Sequence, residues 1–362
     1  MSLDSRSRRL LPCALLVAAL APSCGRGACP PGSERTAADA PNEHPVRLLA
    51  LAGPMAAAEM EVSAMAWHGD RLVFVPERLG LDEEDDVILS GAQRVFVLDK
   101  RDIIEVLDGR RPGPLTPQAV PVTPSIAEAI EGCDGFEAVA FLGDHAYFAV
   151  ETRTNADASN PTLLVHGKIS KERRAVTLDL AQQRPLRRPT GDDNLSHEAL
   201  FIWRDRVYAI YELNAADRIT RPRAAVFSLD LQAVGDVAFP HIDYRITDVT
   251  AVDAAGHLWA INYRYPGSSR ASVAPERESL GGRYGRGATH QRFEQVERLV
   301  ELAVDDAGLR LTDRAPIQLR LEDDRARNWE GIVRLDDRGF LLVTDQFPQT
   351  WLGFVALDER QP

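Results

Sequence analysis

Lysine is almost missing from this chain. Only Lys100, Lys168 and Lys171 occur among 42 basic residues, so arginine carries nearly all the positive charge. Acidic residues number 54, and the formal net charge is -12. An acidic chain without a basic stripe argues against nucleic acid as a partner. Long apolar runs are scarce as well. The longest, residues 10–21, is too short to span a bilayer as a mature helix, and no second run approaches that length. Membrane contact through a spanning helix is therefore not expected. No glycine-rich phosphate loop, zinc-type cysteine spacing or nucleophile elbow occurs, which leaves the catalytic residues unknown at this level.

The short apolar run is informative in its own right. It follows Arg6, Arg8 and Arg9 and ends in Leu20-Ala21-Pro22-Ser23-Cys24, the layout of a secretory signal with a lipobox-like end. The sequence thus predicts a lipoprotein-type signal over residues 1–23, lipidation of Cys24, and export to the cell envelope of a bacterium, on its periplasmic or surface face. Residues 24–45, rich in glycine, proline, alanine and charge without apolar period, read as a flexible tether. Four cysteines occur. Once Cys13 leaves with the signal and Cys24 takes a lipid, Cys29 and Cys133 remain free to pair in an oxidising compartment.

From residue 46 to 362 one pattern recurs five times: a small or acidic residue, an alternating apolar run, a turn, and a second alternating run ending in a polar residue. The units run from Ser63 to Glu77, Glu137 to Glu151, Glu198 to Glu212, Asp248 to Asn262 and Glu330 to Asp345. Each is a β-hairpin by period and turn chemistry. Third strands follow at 94–99, 163–169, 225–230, 299–304 and 353–358, and fourth strands at 118–122, 175–180, 236–239 and 317–321. The last unit has no fourth strand, and the apolar run 46–51 before the first hairpin fits the gap. The fold class is therefore all-β: a single β-propeller of five four-stranded blades whose last blade is closed by an N-terminal strand. Six blades is the alternative, with a weak unit hidden in 81–93 or 265–292. The second of these stretches reads as a long loop inserted in the fourth blade.

The polar ends of the hairpins lie fourteen positions apart in four units and fifteen in the last. Treated as cross-strand neighbours at the open end of an inner hairpin, they form two sets around a central channel. One set is Ser63, Glu137, Glu198, Asp248 and Glu330; the other is Glu77, Glu151, Glu212, Asn262 and Asp345. Two unit charges about 5 Å apart repel by roughly 3 kcal/mol at an effective dielectric near 20, so this many carboxylates need compensation. Bound cations, raised pKa values or inserted arginines would supply it. Ca²⁺ takes six to eight oxygens, so Glu77, Glu137, Glu151, Glu198, Glu212, Asp248, Asn262, Glu330 and Asp345 are candidate ligands. Arg78, Arg153 and Arg264, just past the second set, are candidates for insertion or for anion binding. The alternative is a solvated polar rim with structural ion pairs.

Other candidates are weaker. His197 next to Glu198 has the chemistry of a general base, but a lone histidine at a strand start is commonly structural. Ser196, His197 and Glu198 form no triad, because adjacent residues on a strand point to opposite faces. Arg270, Arg277, Arg283, Arg286 and Arg292 could form a basic lid over the acidic face.

Asn328-Trp-Glu-Gly-Ile332, the run 339–345 and Thr350-Trp-Leu-Gly-Phe354 resemble the closing segment of the phytase-like, or esterase-like, β-propeller family. Glu137-Ala-Val-Ala140 and Glu198-Ala-Leu200 resemble its repeated strand starts, and SdiA-regulated propeller proteins share similar motifs. An Asp-Asp-Pro-Ala run, typical of true propeller phytases, does not occur. The resemblance implies an exported propeller with acidic, Ca²⁺-dependent sites and ester or phosphoester hydrolase activity. Two functions follow: binding of a ligand or partner protein at the acidic face, and metal-assisted hydrolysis. With no nucleophile–base pair in sight, binding is the reading the residues favour.

Overall fold

The structure is a computed structural model that describes residues 41–57, 60–77, 80–81, 87–88, 92–153, 162–170, 172, 174–190, 195–266, 273–345 and 349–357. The signal, Cys24, Cys29 and Arg78 lie outside the described residues. Strand makes up 51% of the fold and helix 10%, in curled, nearly closed sheets, and the fold is β-propeller-like.

The described strands form five antiparallel series. The first runs Val62–His68, Arg71–Pro76, Ala92–Asp99 and Gln118–Thr123. The second runs Cys133–Leu142, His145–Thr152, Thr162–Ile169 and Val176–Leu186. Ala199–Trp203, Arg206–Ile210, Arg223–Ser228 and Ala233–Ala238 make the third. In the fourth, Arg245–Val249, His257–Arg264 and Val296–Asp305 are followed by two short pieces, Gly308–Leu311 and Ile317–Leu319, that share the outer edge. The fifth comprises Trp329–Leu335, Gly339–Thr344 and Leu352–Ala356, with Arg47–Leu49 antiparallel beside the last of these.

The turns explain the inner hairpins. Three of them reverse in two residues, with Gly69, Gly143 and the pair Arg204–Asp205 at positive φ, the backbone hand that continues strand twist. The inner strands then pack in a cycle, first on second, second on third, third on fourth, fourth on fifth and fifth on first. Alternation puts apolar side chains on both faces of each series, and each gap between series becomes a core. Val73 and Phe148 share the gap between the first two series. Tyr147 and Val207 share the next, and Phe201 and Leu258 the third. Trp259 meets Phe340 in the fourth gap, and Phe74 meets Leu341 in the last. Truncating any of these aromatics to alanine removes about 3–5 kcal/mol.

Two expectations need correction. The 265–292 stretch is not merely a loop: it holds two short helices, Ser279–Tyr284 and Ala288–Arg292. Buried carboxylates stabilise their first turns. Glu278 accepts from the amides of Leu280 and Gly281, and Glu43 from those of Thr289 and His290. The Glu43 contact moves the start of the folded body, because Glu43–His44 runs parallel to Gln318–Leu319 instead of belonging to a tether. The Glu43 carboxyl is held down to about 2: burial would raise it, but hydrogen bonds from the side chains and backbone of His290 and Thr289 outweigh that. A helix over Lys100–Leu107, on which the sequence pattern is silent, follows the third strand of the first series and buries Ile103 against the core shared with the fifth.

Candidate functional site

The polar residue that opens each hairpin sits in a β-bulge. In the second series Ala149 faces Ala138 while Val150 faces Phe136, so Glu137 is the extra residue. Ser63 and Glu330 are extra in the same way. In the fourth series Thr247 and Asp248 together face Ile261. In the third, Ala199 faces Ile210 and the Glu212 amide donates to the Ser196 carbonyl, leaving His197 and Glu198 against Tyr211. A bulge re-aims the side chain it carries, here toward the centre of the ring.

This overturns the direct cross-strand pairing read from the spacing. Glu151 faces Gly135 and Asn262 faces Ile246. The amides of Glu77, Glu212 and Asp345 bond the carbonyls of Glu61, Ser196 and Asn328. Each second-set residue thus lies opposite the position two before its supposed partner. The longer spacing in the fifth hairpin comes from its turn, where Leu335 faces Gly339 across three residues. At Gly135 the backbone of Glu77 comes so close that a Cβ would stand 2.7 Å from its carbonyl oxygen. Only glycine fits there.

The carboxyls do converge. Glu137 interacts with Glu77, Glu151, Glu198 and Glu330, and Glu330 with Asp345, Glu212 and Glu77. Two arginines are set among them, and neither was singled out in the sequence. Arg188 pairs with Glu151 at 2.9 Å. Arg245 pairs with Glu198 at 2.6 Å and also contacts Glu212. Of the expected arginines, Arg153 pairs with Asp134 and is mostly exposed, and Arg264 bonds the Glu294 carbonyl. Of the expected lid, Arg283 turns to Asp313, Arg286 to Glu276, and Arg292 lies over the Phe293 ring, while Arg270 lies outside the described residues.

Burial keeps protons on several of these carboxyls. Burial first, then Glu77 and Glu151, push the Glu137 carboxyl well above the usual range. Burial does the same to Glu198, where Arg245 opposes it and Glu212 reinforces it. Glu330 is pushed up to about 8, chiefly by burial, against the pull of Arg245. Two dyads of neighbouring carboxyls result: Glu137 lies by Glu151, and Glu198 by Glu212.

The nine expected metal ligands divide by what they touch. Asp248 is committed to backbone: it accepts from the amides of Ile332, Val249 and Met65. Asn262 donates to the carbonyls of Asp243 and Arg245 and accepts from Arg298. Glu151, Glu198 and Glu212 hold the arginines. Glu77, Glu137 and Asp345 keep accessible surface, and Glu330 is buried next to them. Among the described residues, no group of three or more His, Cys, Asp or Glu is arranged to hold a metal ion.

His197 is buried, and burial together with nearby Arg188 pushes its pKa down to about 3. It is a neutral imidazole set edge-on to Tyr211. At the opposite end of the inner strands, Met65, Val139, Leu200, Val249 and Ile332 line an apolar cavity around the axis.

Neither a protein-family model nor a curated protein matches the chain. Its structure is similar to that of a glucose dehydrogenase, with 11% identity over 86% of this chain and 99% of that one, at a TM-score of 0.42. A luciferin-regenerating enzyme is similar at 8% identity, 84% and 94% coverage and a TM-score of 0.42. A mannose phosphorylase from Leishmania mexicana is similar at 11% identity, with 88% of each chain covered and the same TM-score, 0.42.

Proposed function

We propose that this protein is an exported binding propeller of five blades, anchored to a membrane by a lipid on Cys24, that receives a cationic group at the carboxyl-lined end of its axis. The cycle of inner strands and the five shared cores support the blade count, with Arg47–Leu49 as the closing strand. The observation that carries the binding reading is the gathering of carboxyls. Glu77, Glu137, Glu151, Glu198, Glu212, Glu330 and Asp345 are gathered about Arg188 and Arg245, and three of the carboxyls keep accessible surface. A cation placed there relieves the repulsion among them. The test is calorimetric titration of the purified chain with butylamine and, separately, with Ca²⁺. Saturable binding of at least one, lost in the Glu137→Gln/Glu330→Gln double variant, is expected. Absence of binding by either overturns the reading, and binding of Ca²⁺ alone makes the occupant a metal ion. The anchor is tested by fatty-acid labelling in cells, expected for the natural chain and not for Cys24→Ser.

One observation favours hydrolysis as a second reading. The Glu137 carboxyl, held protonated by burial, lies beside Glu151, and general acid–base catalysis uses such neighbouring carboxyls. Turnover of nitrophenyl esters and phosphates, abolished by Glu137→Gln, would support it; inert substrates with and without Ca²⁺ would remove it.

A further inference from the structure

Beside the Glu137–Glu151 dyad, one cluster of polar atoms is left unfinished. The Arg188 side chain is 7% exposed, and its Nη2 donates to Glu151 and to the Thr152 carbonyl. Its Nε and Nη1 donate to nothing, although both are buried. Nearby, the Nδ1 of His197 is buried without a partner, and that residue is 3% exposed. Buried guanidinium N–H groups rarely go without an acceptor, because they give up hydration and gain nothing in return. Glu151 meets Arg188 through Nη2 alone and leaves these two donors unserved. The missing partner is an oxygen acceptor.

We infer that Arg188 and His197 form a carboxylate subsite, and that the ligand of the acidic face is a small zwitterion carrying an ammonium and a carboxylate a few bonds apart. This rests on the cation-binding reading above. The ammonium lies among Glu77, Glu137 and Asp345, and the carboxylate accepts from the idle Arg188 donors and from His197 as Nδ1–H. Arg188 is already matched in charge by Glu151, so an isolated anion gains little net attraction here. Joined to an ammonium, it approaches with no net charge, and each end meets groups of the opposite kind. The order Glu137, Glu151, Arg188 sets the length of the ligand: its two charges straddle one carboxylate.

The experiment compares butylamine, butyrate, glycine, γ-aminobutyrate and 6-aminohexanoate by calorimetric titration of the full chain. At least one amino acid is expected to bind ten times more tightly than butylamine, and butyrate to bind weakest. Arg188→Lys and His197→Gln should each shrink that advantage, with folding checked by circular dichroism. His197→Gln keeps the test alive if the arginine variant does not fold. Butylamine binding as tightly as every amino acid would mean the idle donors hold water only, which sinks the carboxylate subsite and spares the cation site. Absence of binding throughout sinks both.

Discussion

The Ile332 amide donates to the Asp248 carboxylate at 2.8 Å, tying the inner strand of the fifth series to that of the fourth. The Met65 amide of the first series donates to the same carboxylate, so one side chain joins three strands of the ring. Asp248→Ala leaves buried amides without acceptors and should cost about 3 kcal/mol. A urea titration reads this directly. A loss below about 1 kcal/mol would show that the strands hold together without it.

Arg245 answers for Glu198, Glu212 and Glu330 together. Arg245→Met strands those carboxyls in the interior and should destabilise the fold by about 3–5 kcal/mol at pH 8. The penalty should fall at pH 5, where the acids take up protons, and adding Glu212→Gln should recover part of it. Equal losses at both pH values would contradict the assignment.

Stability should also decline on the alkaline side. Glu330 titrates near 8 in the folded chain and near 4.5 when unfolded. Its proton therefore favours folding fully below pH 4.5, and that contribution disappears as pH rises through 8. Each unit of difference is worth about 1.4 kcal/mol. Glu330→Gln should flatten melting temperature between pH 5 and 9, while an unchanged slope would show that the proton is held elsewhere.

Glu43 has the opposite sign. With a folded pKa of about 2 against 4.5, it stabilises the fold above pH 4.5, and the gain is lost as pH falls toward 2. Removing residues 1–44 should therefore weaken the acid limb of the stability curve relative to removing 1–40. Removing 1–49 goes further and uncovers the edge of Leu352–Ala356, which invites aggregation. Equal light scattering from all three truncations would argue against closure by Arg47–Leu49.

The strands were legible because each is an alternating run bounded by turn residues, as 137–151 illustrates. The bulges were not. A residue inserted opposite nothing leaves the apolar alternation looking like ordinary strand, so Glu137 and Glu151 passed for direct neighbours. Arg188 and Arg245 were hidden for a different reason: both lie outside the repeated hairpin ends, and only the closed ring brings them to the acids. Arg245, three residues before Asp248 at a unit boundary, was the more findable of the two. The hold on Glu43 depends on a helix start 245 residues later, which no local pattern announces.

The bulges also separate the carboxyls from the scaffold that displays them. Residues 136 and 138 already face consecutive positions on the next strand. Excising Glu137 would let that ladder run unbroken without changing one pairing or turning one side chain from its core. The same holds for Ser63 and Glu330. The carboxyls that sit alone in bulges are thus separable from their strands: one codon deletion removes Glu137 or Glu330 and leaves its ladder intact.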